Sequence, residues 1–192
     1  MARRYDPDRR ERIVSAAVRV VGERGIAGLS HRAVAAEADV PLGSTTYHFS
    51  SLDDLLVAAL RQVNDGWLAR VAAWVEGVDP GVPLADETAR FVAESLAGER
   101  SRVELEYELY FAGLRRTAVR PLAAQCLDDM AALLRNLVPD EATARAMVAL
   151  LDGLMLQLVL TGRPCDPEQV SAAFGRLIPV GGTGSPSPRA AG

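Results

Sequence analysis

The sequence predicts an all-α protein of about nine helices, a three-helix N-terminal head followed by a larger helical body, and three observations carry that prediction. Apolar residues recur at helical spacing along the chain, with no convincing run of the apolar–polar alternation that marks a half-buried strand. Capping and breaking residues punctuate the apolar runs at intervals that suit helices. Finally, 192 residues, 49% of them apolar, are enough to bury a core and too apolar for a disordered chain.

The elements follow in order. Asp6 can cap a first helix with Pro7 at its first position, and Ile13, Ala16, Ala17, Val20 and Val21 then mark one face; Gly25 stands where a left-handed residue would end it. Ser30 is placed to cap a short second helix running to about Ala38, and Asp39 and Val40 make a tight turn before a third short helix, Leu42 to His48. Ser51 caps a fourth helix, with Asp53 and Asp54 in its first turn where the helix dipole favours negative charge, and it runs to about Val75 with Gly66 a place for a bend. Pro80, Gly81 and Pro83 break the chain before a helix near Leu84–Leu96. Further helices are expected from Ser101 to about Arg115, from near Ala118 to Leu137, from Asp140 to Thr161, and, after Pro164, Asp166 and Pro167, to about Ile178. The Gly-, Ser- and Pro-rich end, 181–192, reads as a disordered tail.

Charge is unevenly spread. Residues 1–51 hold 8 Arg against 6 Asp and Glu, whereas residues 52–192 hold 13 Arg against 19. A basic-leaning head on an acidic body suits a nucleic-acid-binding module joined to something that does not touch nucleic acid. Cys126 and Cys165 have no metal-binding spacing, which fits a reduced, cytoplasmic setting. No apolar stretch follows the charged Met1–Arg12 as a secretory leader would require, and the most apolar run, Ala146 to Leu160, is read as too short and, with Asp152 and Gln157, too polar to span a membrane. No catalytic residue, metal or cofactor is expected. Both histidines, His31 and His48, lie in the head, far in sequence from either cysteine; no nucleophile-elbow or phosphate-loop motif occurs; and Glu104, Glu106 and Glu108 read as a solvated face. His31 is likewise read as a solvated surface side chain.

Two very short helices joined by a tight turn, after a longer first helix, have the form of a helix-turn-helix. A rod of two turns suffices to offer a few side chains to base edges in a major groove. The residues Arg12-Ile13, Ala16-Ala17, Gly25, Val34-Ala35, Ala38, Val40, Tyr47-His48-Phe49 and Leu55-Leu56 resemble the N-terminal domain of TetR-type regulators. The resemblance covers about fifty residues, and the order and number of helices agree with it.

The resemblance implies a helix-turn-helix DNA-binding domain over 1–51 and a helical ligand-binding and dimerisation domain over 52–180. Arg32 is expected to meet phosphate or a base edge; Leu42, Gly43, Ser44, Thr45 and Thr46 to face the groove or its rim; Tyr47 and His48 to hold phosphates; Ser51 to add a contact; and Phe49 to anchor the third helix from the core. The chain departs from the family at Asp39, where Gly is usual and the left-handed region must be adopted, at Pro41, which has no capping oxygen, and at Leu52, where a Lys is usual; Arg3 and Arg4 could supply that phosphate contact from an N-terminal arm. Met147, Leu150, Leu151, Leu154 and Leu158, with Phe174 of the last helix, are expected to form the interface of a homodimer. Trp67, Trp74, Phe91, Tyr107, Tyr110, Phe111, Met130 and Met155 are spread over the middle helices, and all but Trp74 are put forward as lining a ligand pocket. The partners so implied are double-stranded operator DNA, an unidentified small-molecule effector and a second copy of the chain, and the function is a repressor that the effector releases from a palindromic operator. A ligand-independent DNA-binding regulator and a helical protein-binding adaptor stand as alternatives, and the acidic Glu104–Glu108 segment beside Tyr and Trp leaves room for a cationic effector.

Overall fold

The computed structural model describes residues 8–178 apart from Glu99. The cap at Asp6 and Pro7, the arm Arg3 and Arg4, and the tail 181–192 lie outside those residues. Among the described residues there are nine α-helices and no strand: α1 (Arg9–Arg24), α2 (His31–Glu37), α3 (Leu42–His48), α4 (Leu52–Gly77), α5 (Leu84–Gly98), α6 (Arg100–Phe111), α7 (Arg120–Leu134), α8 (Glu141–Thr161) and α9 (Pro167–Leu177). The described residues divide into two compact units, one of residues 8–70 and 100–128, the other of residues 71–98 and 129–178.

In the first unit the apolar face read from α1 is the core. Ile13, Ala16, Ala17, Val20 and Val21 are all fully buried and share a cluster with Val34, Phe49, Leu55 and Leu56, to which Leu109, Val119 and Leu122 also belong. Ser30 caps α2 by accepting from Ala33 N at 3.1 Å. The turn after α2 is held by Val40 N donating to Ala35 O at 3.0 Å, with Asp39 at φ 51, the left-handed conformation expected there. Pro41 opens α3 in an extended conformation without a side-chain cap. At the start of α4 the capping is reciprocal: Ser51 Oγ accepts from Asp54 N, and Asp54 Oδ2 accepts from the amides of Ser50 and Ser51, each at 3.1 Å. The Ser50 hydroxyl and these donors hold the Asp54 carboxyl below the usual range. Gly25 adopts φ 67 and ψ 174, a positive φ more extended than the compact left-handed cap expected, and its N still donates to Val21 O at 2.8 Å.

Helix α6 stops earlier than the sequence predicts, at Phe111, and a short 3-10 turn, Ala112–Leu114, follows. Gly113 in this turn is closely packed: a Cβ there would stand 3.0 Å from the Cβ of Ala123. Helix α7 likewise ends at Leu134, short of the Leu137 read from the periodicity.

In the second unit α5 packs most extensively on α9. Ala144, Met147, Val148, Leu151 and Met155 form the buried stripe of α8, and Val170 and Phe174 that of α9. Asp140 and Asp166 cap these two helices by accepting from Thr143 N at 2.7 Å and Glu168 N at 3.0 Å. One expectation is corrected here. Met147, Leu151 and Phe174, put forward as partner-facing, are buried in the chain's own core: the repeat that places Ala144 and Met155 inward on α8 carries Met147 and Leu151 inward too, and Phe174 falls with Val170 on the inner side of α9. Helix α8, with 21 residues, is by length and composition alone long and apolar enough to cross a membrane. Only 28% of its most apolar window is buried within the chain, and Glu141, Arg145 and Asp152 lie on it.

A β-branched residue tolerates positive φ poorly, so Asp39→Val is expected to lower the unfolding free energy by about 1–2 kcal/mol. Asp39→Gly should be nearly neutral, because relief of the backbone is offset by the larger unfolded-state entropy of Gly. Urea unfolding of the two variants beside the parent measures both.

Candidate nucleic-acid interface

α3 is a rod with an inner and an outer side. Successive residues turn by about 100° in a helix. Thr45 and Ser44 therefore fall inward with Phe49, at 0% and 5% exposure, and the Thr45 hydroxyl is occupied in donating to Leu42 O at 2.8 Å. The expectation that these two side chains face a groove is corrected: they seat the rod. Leu42, Gly43 and Thr46 lie on the exposed side, and Tyr47 is 85% exposed. His48 is half-buried and meets the Tyr47 ring edge to face, with centroids 5.2 Å apart.

Arg32, in the first turn of α2, is exposed, as is Ser51, whose hydroxyl also serves as the α4 cap. From Ser30 to Ser51 the acidic residues are Glu37 and Asp39, and Glu37 is paired with Arg19 at 2.6 Å, an ion pair that also ties α2 to α1. Arg10, which the sequence reading passed over, places its guanidinium 5.1 Å from the centre of the Phe49 ring. His31 departs from its expectation as a solvated side chain: it is half-buried, and its Nδ1 is buried without a hydrogen-bond partner.

The Glu104–Glu108 run is not one solvated face. Glu104 is exposed and paired with Arg100 at 2.9 Å. Glu106 is largely buried and accepts from Arg70 at 2.6 Å, while Arg70 lies 5.1 Å from the Trp67 ring centre. Burial pushes the Glu106 carboxyl above its ordinary range, and Arg70 opposes that. Glu108 accepts from the backbone N of Ile26 at 2.6 Å, at the turn that leads into α2, and Arg116 pairs with Asp53 at 2.5 Å at the start of α4. An open groove of about 540 Å³ runs beside Gly22, Gln62, Gly66 and Leu105, with the Arg70–Glu106 pair in its wall.

The residues expected to line a ligand pocket fall into both units. Trp67, Tyr107, Tyr110 and Phe111 belong to the first, where Phe111 lies 5.7 Å from Tyr107 and 5.5 Å from Tyr110 between ring centres. Phe91, Met130 and Met155 belong to the second and are buried there. Phe91 pairs with Trp74 at 4.9 Å, a partner left out of the expected lining. The sequence reading also missed Glu87, which is 1% exposed. Its position in the first turn of α5 gives it the look of an ordinary helix-start charge. Among the described residues no three His, Cys, Asp or Glu side chains are grouped as a metal site.

A short exposed rod, braced across a tight turn by a second short helix on a basic-leaning head, defines a helix-turn-helix DNA-binding transcriptional regulator. Residues 13–59 match the family of bacterial regulatory proteins of the tetR type, and residues 83–180 match the tetracyclin repressor-like C-terminal domain. The chain belongs to the TetR family. It is similar to the multidrug binding protein EbrR: in the imidazole complex the two are 59% identical with a TM-score of 0.83, covering 93% of this chain and 99% of that one. The ethidium complex gives 58% identity and a TM-score of 0.82, over 91% and 100% of the two chains. EbrR is also seen with proflavin and with malachite green. The regulator BetI of Paraburkholderia phytofirmans is 29% identical over 173 residues, 83% of this chain and 86% of BetI.

The raised Glu106 carboxyl has a consequence for stability. The native state holds that proton more tightly than the unfolded chain does. Stability is therefore expected to fall as pH rises through the window just above the ordinary carboxylate range. Glu106→Gln should remove this slope, while any loss from the unpaired Arg70 appears as an offset at every pH. Urea midpoints measured from about pH 4 to 7 separate slope from offset.

Proposed function

We propose that the chain is a homodimeric repressor that holds a palindromic operator with α3 of each subunit and leaves it when a small molecule binds the helical body. The observation that carries this reading is Tyr47. An aromatic side chain 85% exposed at the end of a rod whose other side is buried has no packing task within the chain, and a phenol there suits a phosphate at a groove edge. On this reading Arg32, Tyr47, His48 and Ser51 take phosphates, and Leu42, Gly43 and Thr46 approach the bases. Ser44 and Thr45 fix the angle of the rod.

Residues 1–51 form the reading head and 52–180 the sensing and dimerising body. Dimerisation is assigned to α8, whose Leu150, Leu154 and Leu158 are only half-buried and whose Leu160 is 76% exposed. An apolar helix so incompletely covered within its own chain calls for a partner of like character, and a second copy supplies one. The chain then acts on duplex DNA in the cytoplasm, with no residue assigned to catalysis. An aromatic cation is the effector class this reading favours, since EbrR, at 58–59% identity, is seen with ethidium and malachite green. Helix α4, which runs from the reading head into the body, is the natural lever, and a coupling of about 1–3 kcal/mol is enough for a switch.

Binding of the chain to its own promoter region, followed by anisotropy with and without ethidium beside an unrelated DNA-binding protein on a duplex of equal length as control for ethidium's own binding to DNA, tests the whole. The expected result is salt-dependent operator binding that ethidium weakens well beyond its effect on the control. Binding indifferent to every effector would favour the ligand-independent regulator, and absence of DNA binding the protein adaptor.

Two substitutions sharpen the test. Tyr47→Ala is expected to weaken operator binding by about 1–2 kcal/mol while moving the unfolding free energy by less than about 0.5 kcal/mol, because the side chain is exposed. Arg32→Ala should lower the salt dependence of binding by about one unit of slope. For the interface, Leu154→Glu with Leu158→Glu is expected to convert dimer to monomer in sedimentation velocity with helical content kept.

A further inference from the structure

Of the acidic side chains that could meet a cation in the body, those of the Glu104–Glu108 run are already engaged: Arg100, Arg70 and the amide of Ile26 occupy them. Glu87 differs. It is 1% exposed, on the inner side of α5, and only one of its oxygens is satisfied: Oε2 accepts from Arg90, whose own side chain is mostly in solvent, while Oε1 is buried with no hydrogen-bond partner. Buried carboxylate oxygens are rarely left so, because desolvation is costly unless something replaces the lost water.

The surroundings say what would replace it. Phe91 lies one helical turn beyond Glu87, on the same face of α5. Its ring is 4.9 Å from that of Trp74, tilted by 30°. The Trp74 indole nitrogen is itself buried without a partner, so this patch of the second unit leaves two polar atoms of neighbouring elements unsatisfied at once. A half-compensated carboxylate one helical turn from an aromatic ring that packs against a second is a combination suited to a flat organic cation: the rings attract the positive charge and cover the apolar surface, and the free oxygen takes the charge or an amino hydrogen.

We infer that Glu87, Trp74 and Phe91 form the effector site of this chain, with Glu87 Oε1 as the group that selects a positively charged aromatic ligand. The inference rests on the proposed function, and it locates the recognition in a residue that neither the family match nor the sequence pattern singles out.

The test uses the full-length protein without DNA, since ethidium also binds duplexes. Ethidium binding is measured by anisotropy and calorimetry for the parent and for Glu87→Gln, in parallel with a neutral planar aromatic of similar size that lacks the quaternary nitrogen. Glu87→Gln keeps the side-chain volume and removes the charge, so ethidium should bind about 10- to 100-fold more weakly and the neutral compound about as before. Trp74→Leu removes a ring and keeps the carboxylate, and should weaken ethidium by about 3- to 30-fold, which keeps the question open to measurement if Glu87→Gln does not fold. Glu87→Asp, which retains the charge, should recover part of the loss. Equal ethidium affinity in the parent, Glu87→Gln and Trp74→Leu would overturn this site and leave the aromatic-cation reading intact. A parent protein that binds neither ethidium nor proflavin would remove that reading and this inference with it. A matching loss for the neutral compound would also overturn it, since Glu87 would then be holding the fold of the site and not the ligand's charge.

Discussion

A helix of seven residues has almost no stability of its own in water, because the cost of its first turn is spread over too few hydrogen bonds. Everything α3 can do therefore depends on the apolar cluster that seizes its inner side. Phe49 enters that cluster beside Ile13, Val20, Val21 and Leu55, and Thr45 closes against the carbonyl of Leu42 beneath it. Each large side chain so buried contributes about 1.5–3 kcal/mol, and together they fix the rod far more firmly than its own hydrogen bonds could. The outward aim of Tyr47 is the residue of that packing. Ser44 and Thr45 turn in, so positions 46 and 47 must turn out.

The same cluster explains why the head is not bounded by its first three helices. Leu109 of α6, Val119 and Leu122 of α7 share its core, and the compact unit accordingly takes in both segments. Polar ties follow the apolar ones. The Arg116–Asp53 pair is partly exposed and contributes little energy, but it fixes register at the start of α4. The Glu108 carboxylate does more, since it accepts the Ile26 amide beside Gly25, where a Cβ would stand 3.1 Å from its Oε1. A shift of α6 would reach the turn that sets α2, so α4 is not the one mechanical connection of the reading head.

How much of this was legible beforehand depends on which kind of force decides each feature. Features set by local backbone chemistry could be read: the caps at Ser30 and Ser51, the chain restarts at Asp140 and Asp166, the left-handed Asp39, and the extent of α3 from Leu42 to His48. A strict apolar face on a long helix was equally plain in α1. What could not be read depended on which neighbour each side chain meets. Ser44 and Thr45 are small and polar, so their chemistry pointed to solvent or DNA, whereas the geometry of a two-turn rod puts them inside. On α8 nearly every face is apolar, so periodicity could not tell the stripe of Met147 and Leu151 that packs within the chain from the stripe of Leu150, Leu154 and Leu158 left half-open. Helix α6 gives way at Phe111 to a 3-10 turn whose Gly113 sits close against Ala123, a contact ten residues apart and invisible to a local pattern. Glu87 and Glu106 looked like surface charges because nothing in a single sequence shows that a helix start or a carboxylate face has been covered.

These two covered carboxylates illustrate a difference that burial alone does not reveal. Glu106 has lost water and gained Arg70 in return, so its charge is held within the chain and serves to join α4 to α6. Glu87 has lost water on both oxygens and gained a partner on one. Removing one partner of a satisfied buried pair destabilises a fold, whereas a group left half-satisfied already carries that cost in the resting protein. A molecule that supplies the missing partner relieves the cost at the moment of binding, so part of its affinity comes from a penalty the empty protein already bears. By reciprocity, the arrangement in which that penalty is relieved is the one a ligand favours, and an operator that prefers the other arrangement loses affinity by the same factor. On the proposed reading, the unsatisfied Glu87 oxygen is the means by which a small cation in the body would be felt at the rod made of Leu42 to His48.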